Sequence, residues 1–218
     1  MDIGAGFPGW TSVPAWGLAA AVLVMATRGL PLARYRDDAA LRPVLVAASL
    51  AIMALRWFNT AALQGVVLHF LGATVATLLF GARMACWIMA AASLFGVVLG
   101  AGFGGWALDF LLTGAVPVAV TVAVSLAAMR WIPANIFTYV MVNAFAAAAL
   151  AMAASSLAKA GIAAVLGGAA AAYLAATPLL MSAEAFLTGG LMVLVVVYRP
   201  HWCASFDDRT YLGPERPM

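Results

Sequence analysis

Leu68-His69-Phe70-Leu71-Gly72-Ala73-Thr74 sets an imidazole inside an otherwise apolar run that continues to Phe80-Gly81. His69 is one of two histidines in 218 residues and the only one within a hydrophobic segment. The chain around it is 66% hydrophobic and 9% charged, with a mean hydropathy of +1.05. Soluble domains are roughly 45–50% apolar and about 25% charged. No core of a chain this size hides such an excess, so lipid is the solvent. The fold class is all-α, a polytopic membrane helix bundle. An ionisable side chain within such a bundle is costly and by default marks function. The structural alternative is that His69 bonds a carbonyl on a neighbouring helix and only orients the bundle. Gly72, Ala73, Thr74, Ala76 and Thr77 are small, so they admit a close neighbour helix or leave room beside the ring.

Working outward, the span that carries His69 ends at Gly81 and is short, about fifteen residues. Two spans precede it, over about Pro14–Leu30 and Pro43–Phe58. Residues 1–12 are too rich in Gly and Pro for a helix. Trp10 and Trp16 suit an interface belt. No basic residue precedes the first apolar run, so the start reads as the mature start rather than a cleaved signal. Arg28, Arg34, Arg36 and Arg42 crowd the first loop against Asp37 and Asp38. The positive-inside rule makes that loop cytoplasmic and puts the N-terminus outside. Arg56, Trp57 and Asn59 then mark the outer edge of the second span, and Arg83 the inner side after the third.

Beyond Gly81, a fourth span runs about Met84–Leu99, followed by an outer turn at Gly100–Gly105. A fifth, about Trp106–Met129, contains Asp109 roughly one turn in and Pro117, which should kink it and free a carbonyl. A sixth, about Pro133–Leu157, has Pro133 in its first turn and carries Asn135 and Asn143. Lys159 and Gly161 form the next outer turn. Ile162–Val197 is one span preceded by a half-helix, or two spans broken near Pro178. The total is about seven, or eight in the second case, and the charge rule favours seven with Arg199 inside. This divides the chain into a transmembrane domain, 1–198, and a polar tail, 199–218.

The sequence excludes several functions. No Gly-x-x-x-x-Gly-Lys loop is present, so energy coupling comes from other chains. Neither Gly-x-Ser-x-Gly nor His-Glu-x-x-His occurs, so the chain is not read as an enzyme. The net charge of +3 comes mostly from loop arginines and reports topology, not nucleic-acid binding. Cys86 lies in an apolar run and Cys203 in the tail, which argues against a disulfide and makes no zinc site. His69, Asp109, Asn59 and the free N-terminus with Asp2 fall toward the outer half. An α-amine, an amide and an imidazole together suit nickel or copper. Asp109 meeting interface water is the plainer alternative. Glu184 and Thr188 form an i, i+4 pair, either near the inner surface or paired inside the bundle. His201, Cys203, Asp207 and Asp208 have ligand chemistry, but a solvated tail explains them more simply.

Four stretches together resemble the CbiM/NikM type, the membrane substrate-binding components of energy-coupling-factor cobalt and nickel importers. Met1-Asp2-Ile3-Gly4-Ala5-Gly6-Phe7-Pro8 resembles the family's Met-His-Ile-x-x-Gly-Phe-Leu opening. His69-Phe70-Leu71-Gly72-Ala73 through Phe80-Gly81 resembles its His-Leu-x-Gly-Gly-x-Leu block, which ends Leu-Gly-Pro. Gly102-Phe103-Gly104-Gly105-Trp106-Ala107-Leu108 is similar to its Gly-Asp-Gly-Gly-x-x-Ala-Leu turn. Glu184-Ala185-Phe186-Leu187-Thr188-Gly189 is similar to its Glu-Gly-x-x-Thr segment. The resemblance implies metal held by the N-terminal amine of Met1, the second residue and His69. Asp2 stands where the family has histidine, and Phe103 where it has aspartate, so this is a diverged branch.

The resulting expectation is a metal-capturing permease component of an ABC-type, energy-coupling-factor importer in the inner cell membrane, crossing it many times. Its metal ligands would be Met1, Asp2 and His69, with Asn59, Asp109, Glu184 and Thr188 as a secondary polar set. It would bind cobalt, nickel or copper as a divalent ion and hold no firmly implied cofactor. Its partners would be lipid, a coupling transmembrane subunit and ATPase subunits. Two alternatives remain at this point: a non-transporting membrane assembly protein, and an importer of a small organic solute that keeps His69 as a hydrogen-bond donor.

Overall fold

A computed structural model describes residues 9–57, 60–63, 66–68, 70–98, 102–165, 168 and 170–211. The order is α1 (Gly9–Thr27), α2 (Leu32–Asp37), α3 (Leu41–Trp57), a hairpin of β1 (Thr60–Leu63) and β2 (Val66–Leu68), α4 (Ala73–Phe80) and α5 (Ala82–Val98). Then follow α6 (Phe103–Trp131), α7 (Ile136–Val165), α8 (Ala170–Tyr198) and α9 (Asp208–Tyr211). Three helices, α6, α7 and α8, are long and apolar enough to cross a membrane, and α5 is a shorter apolar helix. Their large outward residues, such as Leu94, Leu126, Leu157, Leu179 and Phe186, are exposed. In a chain this apolar that surface faces lipid. The protein is therefore an integral membrane protein built from helices, with one short antiparallel hairpin.

Several local expectations need correction. Helix α1 already begins at Gly9 and runs to Thr27, with Pro14 inside it. The third apolar segment contributes only the eight residues of α4; the chain before it is paired as a hairpin. Pro133 lies before the next helix, which is capped at Asn135, whose side chain accepts from the Thr138 amide at 2.7 Å. Lys159 and Gly161 are not in a turn: α7 runs on to Val165. Pro178 sits inside α8, which is one unbroken helix, so residues 170–198 are not two spans. The strain expected at Pro117 is taken up one turn earlier, where Leu111–Ala115 widens into a π-helical turn.

Close helix approach depends on particular glycines. A Cβ at Gly189 on α8 would overlap the Phe145 ring on α7, and one at Gly114 on α6 would press on Met89 of α5 at 2.8 Å. Lipid gives no hydrophobic drive between helices, so such close packing supplies much of the association energy. At the centre lies α4. All eight of its residues are buried.

Candidate functional site

An eight-residue buried helix has a problem that a long one hides. Half its backbone groups lie at its ends, where no intrahelical partner exists. At the N-terminal end of α4 the answer is Glu184. Its Oε2 accepts from the Leu71 amide at 3.0 Å and its Oε1 from the Gly72 amide at 2.8 Å. Glu184 is 1% exposed. A carboxylate beside the positive end of a helix dipole is favourably placed, and its bonds to amides are of the stronger, charge-assisted kind. Gly72, the N-cap, has φ +65°, and a Cβ there would meet Ile52 Cγ1 at 3.0 Å. Glycine is the residue that takes this turn without strain.

The turn that Glu184 clamps follows His69 directly in sequence. His69 itself lies outside the described residues, as do Met1, Asp2 and Asn59. Around the clamp the bundle is lined by hydroxyls. Thr74 and Thr121 bond through their Oγ1 atoms at 2.8 Å. Thr188, one turn along α8 from Glu184, is fully buried, and among the described residues its Oγ1 finds no partner. Glu184 is thus paired inside the bundle, with main chain rather than with a cation.

Asp109 belongs to a separate cluster. It pairs with Arg56 of α3, the one ion pair among the described residues. The guanidinium also donates to Thr113 Oγ1 at 2.9 Å and Ser93 Oγ at 3.3 Å. Thr113 in turn donates to the Asp109 carbonyl at 2.7 Å. Lys159 of α7 lies within the electrostatic reach of both Asp109 and Arg56. Arg56 and Asp109, both expected near one edge of the membrane, are therefore paired with each other, while Glu184 is held by the Leu71 and Gly72 amides. The secondary polar set splits into two.

The tail is not solvated throughout. Cys203, Phe206 and Tyr211 are buried, while His201, Asp207 and Asp208 are exposed. Burial pushes the Cys203 thiol up to about 12. Among the described residues no three His, Cys, Asp or Glu side chains converge as a metal site. The tail lies at the same end of the molecule as the arginine-rich loop, since Arg34 donates to the His201 and Trp202 carbonyls at 2.8 and 3.0 Å.

Helix α4 with its clamped N-terminal turn, and the aromatic turn around Trp106, occupy the stretches that resemble known metal importers. Trp16 of α1 stacks near Phe103 and Trp106 there, at 5.2 and 5.0 Å between ring centres. A family model described as the cobalt uptake substrate-specific transmembrane region, CbiM, matches residues 4–202. The chain belongs to the CbiM family. No curated protein and no solved structure matches it. The CbiM assignment makes it a transmembrane component for cobalt uptake and a transporter component by family, not an enzyme family member. Arg34 and Ser205, which hold the other end of α4, were not singled out from sequence. The apolar spacing Cys203, Phe206, Tyr211 within a polar tail was the available signal that this segment packs inward.

Proposed function

We propose that this chain captures a divalent transition-metal ion, cobalt or nickel, at the end of α4, and passes it inward with the help of separate ATPase and coupling subunits. The observation that carries this is the CbiM match over residues 4–202 together with the Glu184 clamp. An imidazole must be held rigidly to serve as a selective ligand. The clamp fixes the main chain two and three residues after His69 through two bonds of defined direction. His69 supplies a ring nitrogen, and Met1 its amine; Asp2 adds a carboxylate oxygen where a second imidazole would be softer. The N-terminus faces outward in this reading, so the metal arrives from outside. Thr188 and Thr74 line the way inward with hydroxyl oxygens.

The test uses the full chain with its native N-terminus in lipid nanodiscs. Titration with Co²⁺ or Ni²⁺ gives one bound ion per chain, and His69→Ala or an extension before Met1 weakens it by at least about tenfold, the scale on which even outer-shell partners act. Absence of binding in the unmodified chain overturns the proposal.

A further inference from the structure

The far end of α4 is held as deliberately as the near one. Its last carbonyls have no partner within the helix. The Leu78 carbonyl accepts from the Ser205 amide at 3.2 Å and from the Ser205 hydroxyl at 2.9 Å. The Leu79 carbonyl accepts from the Ala204 amide at 2.9 Å and from Arg34 at 3.3 Å. Ser205 has a single hydroxyl proton, and it goes to a carbonyl. The Tyr139 hydroxyl, 2.7 Å from Ser205 Oγ, must therefore be the donor in that bond. Tyr139 is fully buried and stands edge-on to Phe206 and Tyr211, at 4.9 and 5.0 Å. Asn143 Nδ2 donates to the Tyr211 hydroxyl at 3.3 Å. A segment of twelve residues, Pro200–Tyr211, is thus anchored on α7 and bonded to the last turn of α4.

We infer that Pro200–Tyr211 is a positioning strap: by holding the Leu78–Leu79 end of α4, it sets the position of Leu71 and Gly72, the turn that Glu184 clamps. Helix α4 is about 12 Å long and all its backbone bonds run along one axis, so it transmits displacement as a short rod. It has no lipid-exposed side against which to yield, because every residue is buried. A glycine joint at Gly81, φ +83°, links α4 to α5. Releasing the strap leaves α4 free to pivot on that joint and to pull its amides off Glu184. Ser205 is the strap's principal contact, supplying two of the four donors. The effect on metal capture rests on the function proposed above; the mechanical coupling does not.

Hydrogen exchange on the metal-free chain tests the coupling. Ser205→Pro removes both the amide and the hydroxyl donor. Exchange at Leu71 and Gly72 then rises at least about fivefold, with α6 and α7 unchanged, as expected for local opening. Ser205→Thr restores the wild-type rate. Tyr139→Phe, which removes one hydroxyl and preserves the ring, shows a smaller rise in the same direction and serves if Ser205→Pro does not fold. In a Cys86→Ala background, maleimide labelling of Cys203 confirms that the strap has detached. Faster exchange confined to residues 78–82 and 200–211 overturns the inference. Co²⁺ dissociation is the second arm. It is faster in Ser205→Pro, and an unchanged rate despite faster exchange overturns the strap's role in capture. Absence of Co²⁺ binding in the wild type instead rejects the proposed function, and the exchange arm still judges the coupling.

Discussion

Glu184 and Asp109 are both carboxylates within the bundle, and they are answered in opposite ways. Asp109 meets a cation, Arg56, and its side chain is 37% exposed. Glu184 meets two main-chain amides, and among the described residues no cation pairs with it. A charge pair is strong but loosely directed, and replacing both partners together is often close to neutral. Amides cannot be mutated away. A carboxylate that bridges two of them imposes a geometry on the chain itself. The first arrangement ties helices together; the second shapes a turn.

The sharpest way to break this contrast is at Glu184. Glu184→Leu leaves the Leu71 and Gly72 amides buried without acceptors, at about 1–3 kcal/mol each, so stability in detergent should fall by about 3 kcal/mol. Metal affinity should fall further than for Glu184→Gln, which keeps one carbonyl oxygen and should lose about tenfold. Equal behaviour of the two variants in unfolding and metal titration would remove the directional role of the carboxylate. A smaller effect is expected at the ion pair. Arg56→Met should cost about 1–2 kcal/mol, discounted because Asp109 is partly solvated, and Arg56→Met/Asp109→Leu should regain most of that loss. Denaturant unfolding of the four members of this cycle decides it, and a double variant no better than the single one contradicts the pairing.

The smallest effect lies in the strap. The Thr210 hydroxyl bonded to Asp207 holds that carboxyl below the usual aspartate range. A lowered folded value stabilises the ionised, folded form above the ordinary aspartate value, and the contribution is lost as pH falls through the lowered one. Pepsin cleavage at Phe206 or Tyr211, normalised to an unstructured peptide, should therefore rise as the pH descends through the lower carboxylate range. Asp207→Asn should lose that acid dependence. A variant that keeps it points to another titrating group.

Much of the helical frame was legible because lipid imposes it. Long apolar runs gave α5 and α6 nearly to their ends, and Gly81 correctly closes the segment after His69. The same reading set Arg56 and Asp109 near a common edge, where they pair, whereas Lys159 stands within α7 and not in a turn. Hydropathy is a local quantity, however, and the clamp is not local. Leu71 and Glu184 are 113 residues apart, Leu78 and Ser205 127. Nothing in the apolar pattern near α4 announces that its end groups will be met by a carboxylate and a tail. Pro178 misled for a related reason. A proline in a membrane helix frees the carbonyl four residues before it, here that of Leu174, and surroundings that hydropathy does not report make this tolerable; α8 runs on through Pro178 unbroken.

The two fastenings of α4 also set a timetable for biogenesis. Synthesis runs from the N-terminus, so this helix leaves the ribosome well before Glu184 and Ser205. Until they arrive, the amides and carbonyls at its two ends lack the partners they have in the finished fold. The segment is also too short to span a bilayer by itself. The turn at Leu71 and Gly72 is therefore made well before it is secured. A product stalled before Ser205 would carry an unfastened α4 inside an otherwise inserted bundle.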